Sequence, residues 1–169
     1  MFRATPASVC PCLNGYYDNG TSSQLCSACH YSCKTCTIAT KCATCEANYN
    51  RLYNATTKYC SCSGRYYDPG TQICQSCTYS CLTCVSNPLN CLSCNTTALR
   101  TLNTTTNSCP CNNGYYDGAI ELCYPCNYTC STCGNKQSCL SCNISRFRTI
   151  NPATGLCVCI TGYYDNNSS

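Results

Sequence analysis

The chain reads as an array of small disulfide-rich repeats: an extended rod of tandem modules with short β-hairpins, irregular loops and almost no helix. Three observations carry that expectation: 26 cysteines in 169 residues, a pattern that recurs about every 49 residues, and an apolar content too thin for an ordinary core.

Leu, Ile, Val and Phe together number 22, Trp is absent, and the 44% hydrophobic figure is swollen by the cysteines and 15 Tyr. A cysteine share of roughly 15% exceeds the roughly 8–10% that already marks a disulfide scaffold. Such chains replace apolar burial by covalent staples, each removing about 2–4 kcal/mol of unfolded-state freedom.

Cys-x-Cys pairs stand at Cys10/Cys12, Cys60/Cys62, Cys109/Cys111 and Cys157/Cys159, at intervals of 50, 49 and 48 residues. After each of the first three come 11 to 13 residues, then Cys-x2-Cys-x3-Cys-x2-Cys, five or six residues, Cys-x2-Cys, and 14 residues to the next pair. The boundaries are therefore 10–59 for repeat 1, 60–108 for repeat 2 and 109–156 for repeat 3. Residues 1–9 align with the end of repeat 3 and read as the tail of a preceding repeat, while 157–169 read as the start of a following one. On this reading the chain is a window on a longer array.

Other positions recur with the cysteines. `GYYD` begins at Gly15, Gly114 and Gly162, with `RYYD` at Arg65; `CHYSCKTC`, `CTYSCLTC` and `CNYTCSTC` form the repeat centres; Arg51, Arg100 and Arg148 stand nine residues before a Cys-x-Cys pair. Tyr-Tyr followed by `DNG`, `DPG` or `DG` predicts one short hairpin per repeat, with Gly supplying the positive φ of its turn. The Cys-x2-Cys runs show no 3.6-residue apolar period and are expected to be irregular. Polar `TLNTTTNS` (Thr101 to Ser108) is expected to be an exposed loop.

So many cysteines place the chain outside the cell or at its surface, because bridges persist in oxidising compartments. Acceptor sequences Asn-x-Ser/Thr for N-linked glycans occur at Asn19, Asn54, Asn95, Asn103, Asn127, Asn143, Asn166 and Asn167. Met1 to Val9 lacks the apolar stretch of a signal peptide, so the gene product is expected to begin earlier. A net charge of +4 with 9% charged residues and no basic run argues against nucleic acid. No stretch approaches the ~20 apolar residues of a membrane span.

The chemical alternative to bridges is zinc on reduced Cys-x2-Cys pairs. The acceptor sequences, the low charge and the tight Cys-x-Cys pairs favour bridges, and no metal or cofactor is expected. His30 is the only histidine, and Thr78 and Asn127 replace it in the other repeats, which suits a surface residue better than a ligand or base. No catalytic residue is expected. Tyr16/Tyr17, Tyr66/Tyr67, Tyr115/Tyr116 and Tyr163/Tyr164 are the contact candidates: strand neighbours face opposite ways, so one ring can cover a disulfide while the other meets solvent, a glycan or another module.

`CHYSCKTCTIATKCATC` (Cys29 to Cys45) resembles the furin-like cysteine-rich repeat of growth-factor receptors, and the whole unit is similar to arrays in cysteine-rich surface proteins of ciliates and other protists. Spacing alone leaves 105 connectivities for eight cysteines. The resemblance implies Cys12–Cys26, Cys29–Cys36, Cys33–Cys42 and Cys45–Cys60; then Cys62–Cys74, Cys77–Cys84, Cys81–Cys91 and Cys94–Cys109; then Cys111–Cys123, Cys126–Cys133, Cys130–Cys139 and Cys142–Cys157. Cys10 and Cys159 are left over, and their partners are expected in the neighbouring repeats. The function expected is a structural extracellular glycoprotein that associates with copies or further repeats of itself. The alternative is the stalk or ectodomain of a receptor, adhesin or surface antigen.

Overall fold

The computed structural model describes residues 11–20 and 25–167. Residues 1–10, among them the expected tail of a preceding repeat and Cys10, lie outside the described residues. So do residues 21–24 and 168–169. The described residues form eight two-stranded sheets and contain no α-helix. Three single 3-10 turns, Ala47–Tyr49, Thr96–Ala98 and Ile144–Arg146, complete it.

In the first stretch, β1 (Tyr16–Tyr17) pairs with β2 (Ser27–Ala28), β3 (Cys33–Ile38) with β4 (Lys41–Cys45), and β5 (Arg51–Asn54) with β6 (Tyr59–Cys62). Next come β7 (Tyr66–Tyr67) with β8 (Gln75–Ser76), and β9 (Cys81–Cys84) with β10 (Cys91–Cys94). Isolated bridges Arg100↔Cys111 and Asn103↔Ser108 stand where a third hairpin would follow. The last stretch repeats the order: β11 (Tyr115–Asp117) with β12 (Cys123–Pro125), β13 (Cys130–Asn135) with β14 (Ser138–Cys142), and β15 (Arg148–Ile150) with β16 (Cys157–Cys159). All the pairs with a defined register are antiparallel.

The tyrosine hairpin expected from `GYYD` is thus joined by two more. The Cys-x2-Cys runs are not irregular; they form the hairpins β3–β4, β9–β10 and β13–β14, of which the first and last are bulged. Two cysteines three residues apart on a regular strand would face opposite sides. Register shifts between Cys33, Thr35 and Cys36, and between Cys130, Thr132 and Cys133, add the extra residue that turns both sulfurs to one face. The strand signal in the sequence is broken by the same bulges that make the hairpin work.

Turns repeat as closely as strands. The carboxylates of Asp18, Asp68, Asp117 and Asp165 accept the backbone N–H two residues on, at 2.9–3.0 Å. The donating residue is left-handed each time: Gly20, Gly70, Ala119 and Asn167, with φ of 70°, 83°, 61° and 56°. After Asp117 glycine does not hold that place, because Gly118 comes one residue too early and Ala119 takes the positive φ.

The core is sulfur. Apart from Tyr67 and Ala98, every buried apolar residue among those described is a cysteine. Twelve bridges join residues 7 to 15 apart in sequence. Two bridges interleave within each cysteine hairpin: Cys29–Cys36 with Cys33–Cys42, Cys77–Cys84 with Cys81–Cys91, Cys126–Cys133 with Cys130–Cys139. Cys45–Cys60, Cys94–Cys109 and Cys142–Cys157 carry the chain onward. Cys12–Cys26, Cys62–Cys74 and Cys111–Cys123 close the tyrosine hairpins. Contacts divide the chain into two compact units, Met1–Cys77 with Thr83–Pro88 and Thr78–Leu82 with Leu89–Ser169.

Candidate functional site

Three arginines are buried, and each organises the same joint. Arg51, Arg100 and Arg148 follow a left-handed residue, Asn50, Leu99 or Phe147, that ends a 3-10 turn and swings the next side chain inward. In unit 1 the Arg51 guanidinium is fully covered and uses all its donors. Nε donates to Gln72 O (2.8 Å), Nη1 to Cys60 O (2.9 Å) and Asp68 Oδ2 (3.1 Å), and Nη2 to Asp68 Oδ1 (3.1 Å) and Thr71 O (2.7 Å). The Tyr31 ring lies 5.4 Å from the guanidinium carbon, within cation–π range.

Unit 2 holds two further copies. Arg100 donates through Nε to Glu121 O (2.8 Å), through Nη1 to Cys109 O (2.9 Å) and Asp117 Oδ2 (3.0 Å), and through Nη2 to Ile120 O (2.8 Å). Arg148 grips Asp165 with Nη1 and Nη2 at 3.0 and 2.9 Å. Tyr79 and Tyr128 cover these guanidinium groups, again at 5.4 Å. Their hydroxyls donate to the same carboxylates, Tyr79 to Asp117 at 3.2 Å and Tyr128 to Asp165 at 2.9 Å. Arginine and aspartate are 17 residues apart in all three copies.

This wiring sets the ionisation. Burial would raise the Asp68 and Asp117 carboxyls, but the hydrogen bonds from Arg51 and Arg100, the turn amides and the arginine charge outweigh it and hold both below the ordinary range. The Arg148 hydrogen bond holds Asp165 lower still, and that contact raises Arg148 in turn. Tyr31 and Tyr79 are pushed up, by burial first and then by the facing carboxylate. The Asp165 hydrogen bond raises Tyr128. At neutral pH each joint holds a charged pair beneath a neutral phenol.

The arrangement joins chain segments, because the arginine donors are used on carbonyls and a carboxylate of other stretches of the chain. Sequence reasoning noticed the three arginines but not their partners; the constant 17-residue interval to the aspartate of `YYD` is the signal that reveals them.

The tyrosine pairs serve differing ends. Tyr67 is buried, its hydroxyl donating to Gln75 Oε1 at 2.7 Å. Tyr116 packs on the cluster of Cys130, Cys133, Cys139 and Cys157. Tyr16, Tyr17, Tyr66 and Tyr115 are half-buried. Tyr163 is exposed and stacks on Phe147 at 4.3 Å, and Tyr164 is 86% exposed. His30 caps a turn: Nδ1 lies 2.8 Å from Ser32 Oγ and accepts the Ser32 N–H, and Asn127 does the same for Thr129. Cys130, Cys139 and Cys157 bring their sulfurs close together, but all three are committed to bridges and offer no thiolate. Cys159, half-buried, has no bridge partner among the described residues.

Fold and joints together define a cysteine-rich protein of small, disulfide-stapled hairpins with twelve bridges among its described residues. No family model, no curated protein and no solved structure matches the chain.

Proposed function

We propose that the chain is a structural extracellular glycoprotein, a stretch of a disulfide-laddered repeat rod that forms part of a surface coat, fibre or filament. The observation that carries this reading is the joint: Arg51–Asp68, Arg100–Asp117 and Arg148–Asp165 repeat the same ion pair beneath a tyrosine ring at the same 17-residue interval. A molecule that works through one ligand site is expected to have one unit that departs from the others, whereas a self-associating rod of modules that touch only their neighbours uses equivalent residues in each. The buried charges face each other and the best-placed polar groups are mutually satisfied, which supports a load-carrying rather than a catalytic role. The likeness of the cysteine centres to furin-like repeats supports the same reading, as does the disulfide density for an oxidising compartment. Self-association through equivalent surfaces of successive repeats completes it.

Electron microscopy of native material tests the reading. Uniform filaments or a periodic coat that binds an antibody against this chain are expected. Isolated particles or membrane-bound stalks overturn it in favour of a receptor, adhesin or antigen ectodomain.

A further inference from the structure

The acceptor asparagines differ in what their amide nitrogen faces, and this difference rests on the extracellular reading above. Asn54 and Asn103 occupy equivalent turns, each six residues before a bridging cysteine, Cys60 or Cys109. Each turns its Oδ1 inward to accept two backbone N–H groups: from Thr56 (2.9 Å) and Thr57 (3.1 Å) at Asn54, from Thr105 (3.0 Å) and Thr106 (3.2 Å) at Asn103. The amide is planar, so its Nδ2 then points away from the turn. Both asparagines are exposed, as are Thr56 and Thr105, whose hydroxyls the acceptor sequence requires.

Asn95 is the opposite case. Its Oδ1 accepts from Thr97 N (3.1 Å) and Thr97 Oγ1 (2.6 Å), while Nδ2 donates to Glu121 Oε1 at 2.6 Å. Glu121 also gives its carbonyl to Arg100, so a sugar on Asn95 would be driven into the joint. At Asn127 the required hydroxyl, that of Thr129, is itself buried and bonded to Asn127 Oδ1 at 2.9 Å.

The turn does not explain the threonines. Asn151 stands at the same place, six residues before Cys157, and its Oδ1 accepts from Ala153 N at 2.9 Å, with alanine where Thr56 and Thr105 stand in the other two turns. Thr56 and Thr105 are therefore surplus to the turn they sit in.

We propose that Asn54 and Asn103 carry N-linked glycans in the folded protein, and that Asn95 stays bare so that its amide can serve the joint. The transfer uses a lipid-linked pyrophosphate glycosyl donor. The anomeric carbon bonds to Nδ2 as its bond to the pyrophosphate oxygen breaks, the electron pair leaves with the pyrophosphate, and Nδ2 yields one proton to a transferase base. Oδ1 is untouched, so both turns survive.

The test is secretion of the full chain from a eukaryotic cell, enzymatic glycan release in heavy-oxygen water, and peptide mass spectrometry on material whose bridges are mapped. Oxygen-18 aspartate is expected at positions 54 and 103 and unlabelled asparagine at 95. Thr56→Ala and Thr105→Ala should each remove one glycan and leave the disulfide map unchanged, since the Asn151 turn manages with alanine. Label at 95 equal to that at 54 and 103, or no label at 54 and 103, overturns the proposal. Neither result touches the filament reading, which stands or falls on microscopy.

Discussion

Arg100 and Asp117 meet at 3.0 Å with the arginine side chain wholly buried and the aspartate 40% exposed. That asymmetry decides what the pair is worth. A carboxylate near the surface is rehydrated when its partner is lost, whereas the carbonyls of Cys109, Ile120 and Glu121 are left without their donor. Arg100→Met should therefore loosen the joint by about 1–3 kcal/mol for each acceptor that water does not reach. Asp117→Asn, which keeps those carbonyl bonds, should cost less. Hydrogen exchange at Asp117 to Glu121 measures both; equal protection in Arg100→Met and wild type would refute this account.

Acid should open the joints before it touches the bridges. The folded pKa values of Asp68, Asp117 and Asp165 are depressed, so their stabilising contribution is complete above the unfolded value of about 4 and is lost as pH falls through the lower folded values. Exchange protection of the turn amides of Gly70, Ala119 and Asn167 should hold from pH 7 to about 4 and then drop. Unchanged protection at pH 2 would contradict it. The tyrosines set the other limit. Tyr31 and Tyr79 are raised, so their contribution is complete below about 10 and is lost as pH rises through the folded value.

Tyr79 contributes twice, through its ring over Arg100 and its hydroxyl on Asp117. Tyr79→Phe should lose only the hydroxyl bond, about 0.5–1.5 kcal/mol. Tyr79→Ala should lose in addition a partly exposed cation–π contact worth about 0.5–1 kcal/mol. Thermal unfolding of the two variants should rank wild type, Phe, Ala; a reversal of the last two would remove the ring from the account.

Ala119 holds a left-handed φ of 61° where Gly20 and Gly70 stand in the other turns. An L-residue pays about 1–2 kcal/mol there, and glycine returns about 0.5–1 kcal/mol of that through its looser unfolded chain. Ala119→Gly should raise the melting temperature slightly, and a fall would show that the methyl group packs usefully.

In a chain of these 169 residues alone, Cys159 should be the one described cysteine that alkylates, because it stands where Cys62 and Cys111 stand and their partners lie 12 residues further on. Maleimide labelling followed by peptide mapping is expected to mark it, with Cys12, Cys62 and Cys111 unlabelled, because those three are bridged to Cys26, Cys74 and Cys123. Label on any of the three would break the assignment.

Much of this architecture is legible in residue order because it is local. The period, the low apolar content and the aspartate turns need only neighbours a few residues apart, so `YYD` announces a hairpin at Tyr16, Tyr66 and Tyr115. The cysteine hairpins were harder to read: a bulge between Cys33 and Cys36 erases the alternation by which strands are recognised. The hairpin β5–β6 was missed because it pairs Arg51 with Cys62, across the place where the sequence period begins again.

By itself the sequence determined that sulfur would replace an apolar core and that the chain would be built of repeats. Each follows from counts and intervals, which survive any arrangement in space. Only the tertiary structure decided that Arg51, Arg100 and Arg148 would be buried beneath Tyr31, Tyr79 and Tyr128 and against Asp68, Asp117 and Asp165. A charged side chain can be buried only where donors, acceptors and counter-charge converge, and these come from positions 9 to 21 residues apart that the fold brings together.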